Sequence, residues 1–216
     1  STLGIAAMGA VRDGCRFAGG SILFDGQDLL QRGEDGCRPL RGARIAYVAQ
    51  SAAASFNPAH RLIDQTIEAG LSHGIATEQA AMANAVALYR QLQLPNPEEI
   101  GFRYPHQVSG GQLQRVMTAM AMLCKPDLII FDEPTTALDV TTQVEVLAAI
   151  RDAVRSHGTA AIYVTHDLAV VAQMADRIQV MRHGQTVEES PARAMLAAPR
   201  EDYTRSLWSV RKLARA

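Results

Sequence analysis

The order of apolar and polar residues along the chain predicts strand-forming segments on both sides of a helical block. Residues 21–24 are typical of a short strand that ends in an Asp25-Gly26 turn, and residues 44–49 predict a second strand that ends at Gln50. From about residue 62 to residue 124 the apolar positions recur at helical spacing instead, with breaks at prolines. We therefore expect an almost purely helical block after the second strand.

A strand, a helix and a second strand follow this block. Residues 128–131 form a continuous apolar run, typical of a strand buried on both faces, and residues 161–165 predict another buried strand. The helix between them is closed by Gly158, a left-handed cap, and it repeats apolar residues at steps of three or four: Val140, Val144, Leu147, Ile150 and Val154. Two apolar strands joined through a helix make a parallel βαβ unit. Residues 178–187 predict a hairpin around His183-Gly184, and the fold class is α/β with a helical insertion.

The composition excludes several functional classes. The chain has 216 residues and a formal net charge of −1, so no basic surplus indicates a nucleic-acid partner. Its 3 cysteines are scattered, which favours a reducing cytosol over a disulfide framework or a metal site. Its apolar runs fall short of the ~18 residues that a membrane-spanning helix needs. With 48% apolar and 20% charged residues, we expect a soluble intracellular domain with a real core.

Two acidic residues follow the first apolar strand of the βαβ unit. Asp132 and Glu133 come directly after residues 128–131, and ligands of open α/β sheets gather beyond the carboxyl ends of the strands. One carboxylate that holds Mg²⁺ through water and a second that polarises an attacking water suit a phosphate site. The alternative is a strand that happens to end in surface acids, which the pair alone does not exclude.

A short glycine-rich segment opens the last helix of the block. Ser109 can cap that helix, while Gly110 and Gly111 let backbone N–H groups approach an anion without an intervening Cβ atom. The N-terminus of a helix binds phosphate readily because its first N–H groups have no partner inside the helix. Taken alone, the segment favours the simpler interpretation of a turn before a capped helix.

Two further polar residues follow apolar strands. His166 comes after residues 161–165, so we expect it at the same sheet edge as Asp132 and Glu133, where an imidazole can bond a γ-phosphate. Gln50 ends the strand at 44–49. Each of these residues by itself is more often an ordinary capping or surface residue.

Taken together, these segments are similar to those of ABC ATPases. Gln50, residues 109–112, residues 132–134, residues 137–139 and His166 stand in the order and spacing of that family's Q-loop, signature, Walker B, D-loop and H-loop. The match covers essentially the whole chain. Each motif alone is weak evidence, but the five motifs together are specific to the family. The resemblance implies a P-loop NTPase (RecA-like) parallel-sheet core with an inserted α-helical subdomain.

The resemblance also implies a role for each matched residue. Asp132 would hold Mg²⁺ through water with Gln50 as a further metal contact, and Gln50 would sense the nucleotide. Glu133 would be the catalytic base, and His166 would contact the γ-phosphate of ATP. Asp139 would bridge two subunits. The ATP of the opposing subunit would be clasped by Ser109, Gly110, Gly111 and Gln112.

This chain differs most from the family at the phosphate loop. Ser1 resembles its Mg²⁺-binding hydroxyl and Thr2 the next nucleotide contact, while the glycines and the lysine of the loop would precede the chain. Because those groups make most phosphate contacts, we expect residues 1–216 alone to bind ATP weakly and to hydrolyse none. The strand before the loop would lie centrally in the sheet, so its neighbours are expected to expose apolar edges.

Finer similarities indicate the oligopeptide, dipeptide and nickel importer branch. Residues 55–58, 104–106, 134–140 and 202–207 resemble segments of that branch. The resemblance implies an ATP-hydrolysing subunit for uptake of peptides or similar small solutes, paired with an identical or paralogous ATPase subunit. Its other partners would be integral membrane permease subunits and, indirectly, an external solute-binding protein. It would lie at the cytoplasmic face of the inner membrane.

This interpretation divides the chain into four parts. They are ATPase core at 1–61, a helical subdomain with the signature at 62–125, ATPase core at 126–190 and a helical tail at 191–216. One alternative is a non-transport ABC ATPase of DNA repair or translation, which the compact helical block disfavours. Another is a non-hydrolysing regulatory module, which the intact Glu133 and His166 disfavour.

Overall fold

The computed structural model describes residues 2–135 and 138–213 of the chain. They belong to two compact units, residues 1–164 and residues 165–216, and each is described by itself. The strands of the first unit are β1 (Leu23–Phe24), β2 (Gln27–Asp28), β3 (Ile45–Val48), β4 (Leu128–Asp132) and β5 (Ala160–Val164). Its helices are α1 (Thr2–Ala6), α2 (Leu29–Cys37), α3 (Ala52–Ser55), α4 (Leu62–Ser72), α5 (Glu78–Gln91), α6 (Gly110–Met122) and α7 (Val140–Ser156), with 3₁₀ turns at Ile100–Phe102 and Pro105–Gln107. None of the described helices is both long and apolar enough to cross a bilayer.

Strands β3, β4 and β5 form a parallel sheet with β4 in the middle. Val48 of β3 pairs with Phe131 of β4, and Asp132 of β4 pairs with Val164 of β5. The apolar side chains of β4 are fully buried from Ile129 to Phe131, as expected for a strand with neighbours on both sides. The α/β fold class with a parallel sheet is confirmed.

Strand β5 is not the buried strand that the sequence predicts. Ala160 and Ala161 are exposed, and Ile162 is 38% exposed. Within the described part of the chain β5 pairs with β4 on one side, so its other edge lies open. The sequence of an apolar run does not show whether the strand is central or at an edge, because neighbouring strands and helices determine how much of it is buried.

Helices α4, α5 and α6 form the predicted helical block and pack against one another. Leu62 and Leu92 are fully buried in it. Thr66 and Tyr89 are buried as well, and their hydroxyl groups share a hydrogen bond of 2.7 Å. Buried hydroxyl groups need such partners, since an unsatisfied one costs free energy. The helical block therefore buries a hydrogen-bonded pair of hydroxyl groups among its apolar side chains.

Helix α7 has a buried face that is rotated relative to the predicted one. Gly158 behind the helix adopts the predicted left-handed conformation, with φ of 66°. Val144, however, is 48% exposed. The side chains that pack inward are Val146, Leu147, Ala149, Ile150, Ala153 and Val154. Of the five predicted positions, Leu147, Ile150 and Val154 are buried, and the side chain of Val140 lies outside the described part of the structure. Helix α7 packs against α5 and α6.

The second unit holds α8 (Leu168–Met174), β6 (Arg177–Arg182), β7 (Gln185–Pro191), α9 (Ala192–Ala197) and α10 (Asp202–Leu213). Strands β6 and β7 form the predicted antiparallel hairpin. The carboxylate of Glu188 accepts hydrogen bonds from the N–H groups of Arg200 and Glu201. Desolvation by itself would raise the pKa of Glu188, but these bonds outweigh it and the pKa is lowered. Glu188 therefore ties β7 to the start of α10.

Two tight turns follow the sequence prediction. Asp25 and Gly26 join β1 to β2 with φ angles of 51° and 73°, and His183 and Gly184 join β6 to β7 with φ angles of 51° and 78°. Positive φ at both central residues is typical of a type I′ turn, whose twist matches that of paired antiparallel strands.

Candidate functional site

The parallel register of β3 and β4 brings Gln50 beside Glu133. Gln50 and Glu133 each lie two residues beyond the pair Val48–Phe131, so both leave the sheet at its carboxyl edge. The side chain of Gln50 donates a hydrogen bond from Nε2 to Oε2 of Glu133 at 3.1 Å. Two residues that lie far apart in sequence are thus in direct contact at the edge where α/β proteins bind ligands.

Asp132 is held by a tyrosine of the neighbouring strand. It is the last residue of β4 and is buried. The hydroxyl group of Tyr47, in β3, donates a hydrogen bond to Oδ2 of Asp132 at 2.5 Å. A buried carboxylate needs hydrogen-bond donors because burial removes its water. Tyr47 therefore orients the first of the two acids.

The Tyr47 hydroxyl group should contribute measurably to the free energy of unfolding. Tyr47→Phe keeps the ring and removes the donor to Asp132, and hydrogen bonds to charged groups contribute about 1.5–3 kcal/mol. We expect a loss of that size in urea unfolding monitored by circular dichroism. In an Asp132→Ala background the same substitution should cost little, since the acceptor is gone. Equal costs in the two backgrounds would show that the hydrogen bond contributes nothing.

Glu133 turns the chain sharply as it leaves β4. Its φ angle is 48°, in the left-handed region that favours glycine, and its N–H group donates to the carbonyl oxygen of Val164 at 2.8 Å. The next residue is Pro134, which is buried. A left-handed non-glycine residue costs roughly 1–3 kcal/mol, and such residues cluster at functional sites. The backbone at Glu133 is thus held in a conformation that the surrounding structure must impose.

The segment Ser109–Gln112 forms a capped helix start at the N-terminus of α6. The Ser109 side chain accepts a hydrogen bond from the N–H group of Gln112 at 3.3 Å, and the Gln112 side chain accepts one from the N–H group of Ser109 at 3.0 Å. This reciprocal pair is a capping box. Among the described residues, the N–H groups of Gly110 and Gly111 have no hydrogen-bond partner. They are therefore available to an anion, as the helix dipole also favours.

Asp139 has a similar capping position at the start of α7. Its Oδ1 atom accepts a hydrogen bond from the N–H group of Thr142 at 3.0 Å. Hydrogen bonds from the backbone and the side chain of Thr142 hold the pKa of Asp139 below its ordinary value. Asp139 is exposed, so its charge can still meet a partner from outside the chain.

The remaining predicted site residues include some outside the described residues. Ser1 and Ala137 are outside them. Thr2 begins α1 and is exposed, and Arg41 anchors the other end of that helix by donating to the carbonyl oxygens of Met8 and Gly9. His166 is exposed in the second unit. The expectation that His166 shares an edge with Asp132 and Glu133 stays a prediction.

The donor set at the carboxyl edge of the sheet fits Mg²⁺. The side chains of Asp132 and Gln50 supply oxygen atoms, which are the ligands that Mg²⁺ prefers. Among the described residues, no group of three or more His, Cys, Asp and Glu side chains could hold a metal ion. A Mg²⁺ site does not require such a group, because this ion takes most of its ligands from water and phosphate.

Tyr47 and Thr142 are contact residues that the sequence analysis missed. Tyr47 carries the one hydroxyl group in the strand Ile45–Val48, and a polar group in a buried strand is a usable signal. No comparable signal marks Thr142, because threonine in the first turn of a helix is common.

Comparison with known proteins decides the family. The sequence profile described as ABC transporter matches residues 1–136, more than half of the chain. The chain belongs to the ABC transporter family. It is 42% identical over 189 residues to the probable peptide ABC transporter ATP-binding protein y4tR of Sinorhizobium fredii, covering 88% of this chain and 56% of the relative. It is 40% identical over 207 residues to the dipeptide transport ATP-binding protein DppD of Haemophilus influenzae, covering 96% and 63%.

Solved structures show the same fold. The ATP-binding cassette MJ0796, in a dimeric post-hydrolysis state bound to ADP and Pi, superposes with a TM-score of 0.70 at 23% identity, covering 81% of this chain and 74% of that one. This ABC family member therefore has the P-loop NTPase fold that the sequence analysis predicts. The chain spans 56% of the length of y4tR and 63% of that of DppD.

Proposed function

We propose that the protein binds and hydrolyses ATP and thereby powers an ABC importer for peptides or similar small solutes. The hydrogen bond between Gln50 and Glu133, next to the buried Asp132, is the observation that carries the proposal. It joins a carboxylate suited to polarise water with an amide that can respond to a ligand. Relatives named for peptide and dipeptide transport support the solute class.

In this proposal Glu133 is the general base of hydrolysis. Its carboxylate lies at the carboxyl edge of the sheet with one oxygen held by Gln50, so the group has a defined direction from which to accept a proton from water. Base catalysis by a positioned side chain contributes typically about 10²–10⁴-fold to a rate. His166 would contact the γ-phosphate, and the strained backbone at Glu133 supports a functional role for this turn.

Asp132 and Gln50 would hold Mg²⁺, together with the hydroxyl group of Ser1. The bound ion would neutralise phosphate charge. Tyr47 orients Asp132 for this task through its hydroxyl group. Thr2 would contact the phosphates at the start of α1. Each of these assignments follows from the chemistry of the side chain and from the match to the family.

The signature segment Ser109–Gln112 would clasp the ATP of a second ATPase subunit, identical or paralogous. The free N–H groups of Gly110 and Gly111 at a capped helix start support this assignment. Asp139 would bridge the subunits. We also propose that residues 62–125 form the helical subdomain between core segments 1–61 and 126–190, with a tail at 191–216. The remaining partners would be membrane permease subunits at the cytoplasmic face of the inner membrane and, indirectly, an external solute-binding protein.

The proposed function is tested on the protein as its gene encodes it. We expect phosphate release from ATP that requires Mg²⁺, and loss of labelled dipeptide uptake by cells from which the gene is deleted. ATP binding without hydrolysis would favour a non-hydrolysing regulatory module. Hydrolysis with normal uptake in the deletion strain would contradict the importer assignment for that solute.

Residues 52–61 follow Gln50 and form a surface segment on which a permease helix could dock. The carbonyl oxygen of Asn57 accepts a hydrogen bond from Gln65 at 3.1 Å, and its N–H group donates to Gln65 at 2.7 Å. Gln65 also donates to the carbonyl oxygen of His60 at 3.1 Å. Phe56 is buried beneath the segment. Residues 52–61 therefore keep a fixed shape close to Gln50 in sequence, which a docking surface for a permease helix requires.

Cysteine crosslinking tests this docking surface. We expect a cysteine placed at the exposed Ala54 or Ala59 to crosslink to a cytoplasmic helix of the permease, with a yield that changes when ATP is added. The matched control carries its cysteine at Gln179 or Thr186, on the hairpin of the second unit. Crosslinks that form only at the hairpin would show that the docking surface is wrong.

A further inference from the structure

The two glycines of the signature segment have different surroundings within the chain. A Cβ atom built at Gly111 would lie 2.5 Å from Cγ2 of Thr142, closer than real Cβ contacts come. A Cβ atom at Gly110 would lie 3.6 Å from Cδ2 of Leu138, which is ordinary van der Waals contact. Gly111 is buried and Gly110 is exposed. The chain itself therefore requires glycine at Gly111, whereas it leaves room for a side chain at Gly110.

The methyl group of Thr142 is held in its place against Gly111. The Thr142 N–H group donates to Oδ1 of Asp139 at 3.0 Å. Threonine in a helix divides between two side-chain rotamers, and the rotamer in this structure places Cγ2 of Thr142 against Gly111. Asp139 thus holds the backbone of Thr142 at the point where its methyl group faces the first turn of α6.

We propose that Thr142 is a positioning residue that joins the signature segment Ser109–Gln112 to Asp139, its N–H group bound by Asp139 and its methyl group filling the space that Gly111 leaves. This inference rests on the proposed function, in which both joined parts face a second ATPase subunit. Because the distance between the signature segment and Asp139 is fixed, a second subunit that binds one of them also meets the other in the correct position. Positioning of this kind affects turnover more than it affects nucleotide affinity.

Rescue of an overpacked glycine tests the contact. In the protein as its gene encodes it, Gly111→Ala should lower kcat by roughly tenfold or more, because an added methyl group forces the two helices apart. Adding Thr142→Ser removes the clashing methyl group and keeps the hydroxyl group, and should restore kcat to within about threefold of Thr142→Ser alone. Adding Thr142→Val, which keeps the methyl group, should restore nothing.

Gly110→Ala is the matched control. It fits within the chain, so its loss of kcat should come from the nucleotide of the partner subunit, and Thr142→Ser should not rescue it. Thr142→Ser alone should leave the urea midpoint and the KM for ATP close to those of the parent while kcat falls severalfold. A role in folding only would lower the midpoint and leave kcat unchanged, and would overturn the assignment.

Two further outcomes separate this inference from the proposed function. Equal failure of Thr142→Ser to rescue Gly111→Ala and Gly110→Ala would show that the nucleotide, not Thr142, needs the space at Gly111. If the parent protein hydrolyses no ATP, the proposed function fails. The urea midpoints of the single and double variants still decide the contact in that case, because Gly111→Ala should destabilise the fold and Thr142→Ser should reverse the loss.

Discussion

In the protein as its gene encodes it, Glu133→Gln should lower ATP turnover by about 10²–10⁴-fold while ATP still binds. The substitution keeps the size of the side chain and removes its ability to accept a proton. The amide oxygen can still accept the hydrogen bond that Gln50 donates at 3.1 Å, so the contact at the sheet edge should persist. Phosphate release measures the turnover, and calorimetry measures the binding of ATP. An ATP-loaded dimer should accumulate, which size-exclusion chromatography detects.

The control for this substitution is Glu78→Gln. Glu78 is exposed in the first turn of α5, so the same chemical change there should leave turnover near that of the parent. Turnover close to normal in Glu133→Gln would contradict the assignment of Glu133 as the base. Loss of ATP binding together with turnover would instead point to a role in holding the nucleotide or the metal.

Phe131→Ala should lower the free energy of unfolding by roughly 3–5 kcal/mol. Phe131 is fully buried in the central strand, one residue before Asp132. Its ring stacks on Tyr163 of β5 with 4.5 Å between the ring centroids and 7° between the ring planes. Removing the ring leaves a cavity between β4 and the helices and abolishes the stacking contact. Urea unfolding with an unchanged m-value would report the loss directly.

Phe102→Ala is the matched control for that loss. Phe102 is 48% exposed, and exposed substitutions usually change stability by less than about 0.5 kcal/mol. We expect burial in β4 to determine the loss of unfolding free energy. Equal losses at the two phenylalanines would show instead that removal of any aromatic ring has the same effect.

Much of the fold and of the site follows from local sequence. The apolar run at Ile129–Phe131 determined a buried strand, because a continuous apolar run is stabilised when both of its faces are removed from water. Asp25-Gly26 and His183-Gly184 determined tight turns, since glycine and short polar residues accept positive φ. Ser109 and Asp139 determined helix starts, because their side chains bond the N–H groups that a helix leaves without partners. The order of these segments was enough to indicate the family.

Tertiary structure decided what depends on neighbours distant in sequence. The contact between Gln50 and Glu133 requires the register of β3 against β4, and no local pattern encodes a register. Tyr47 reaches Asp132, and Thr142 reaches Gly111, only because separate elements pack side by side. Val144 and Ile162 are exposed, although their sequence patterns predict burial. Hydrophobicity shows that a side chain can be buried, whereas the packed neighbours determine which face of a helix or edge of a strand is covered.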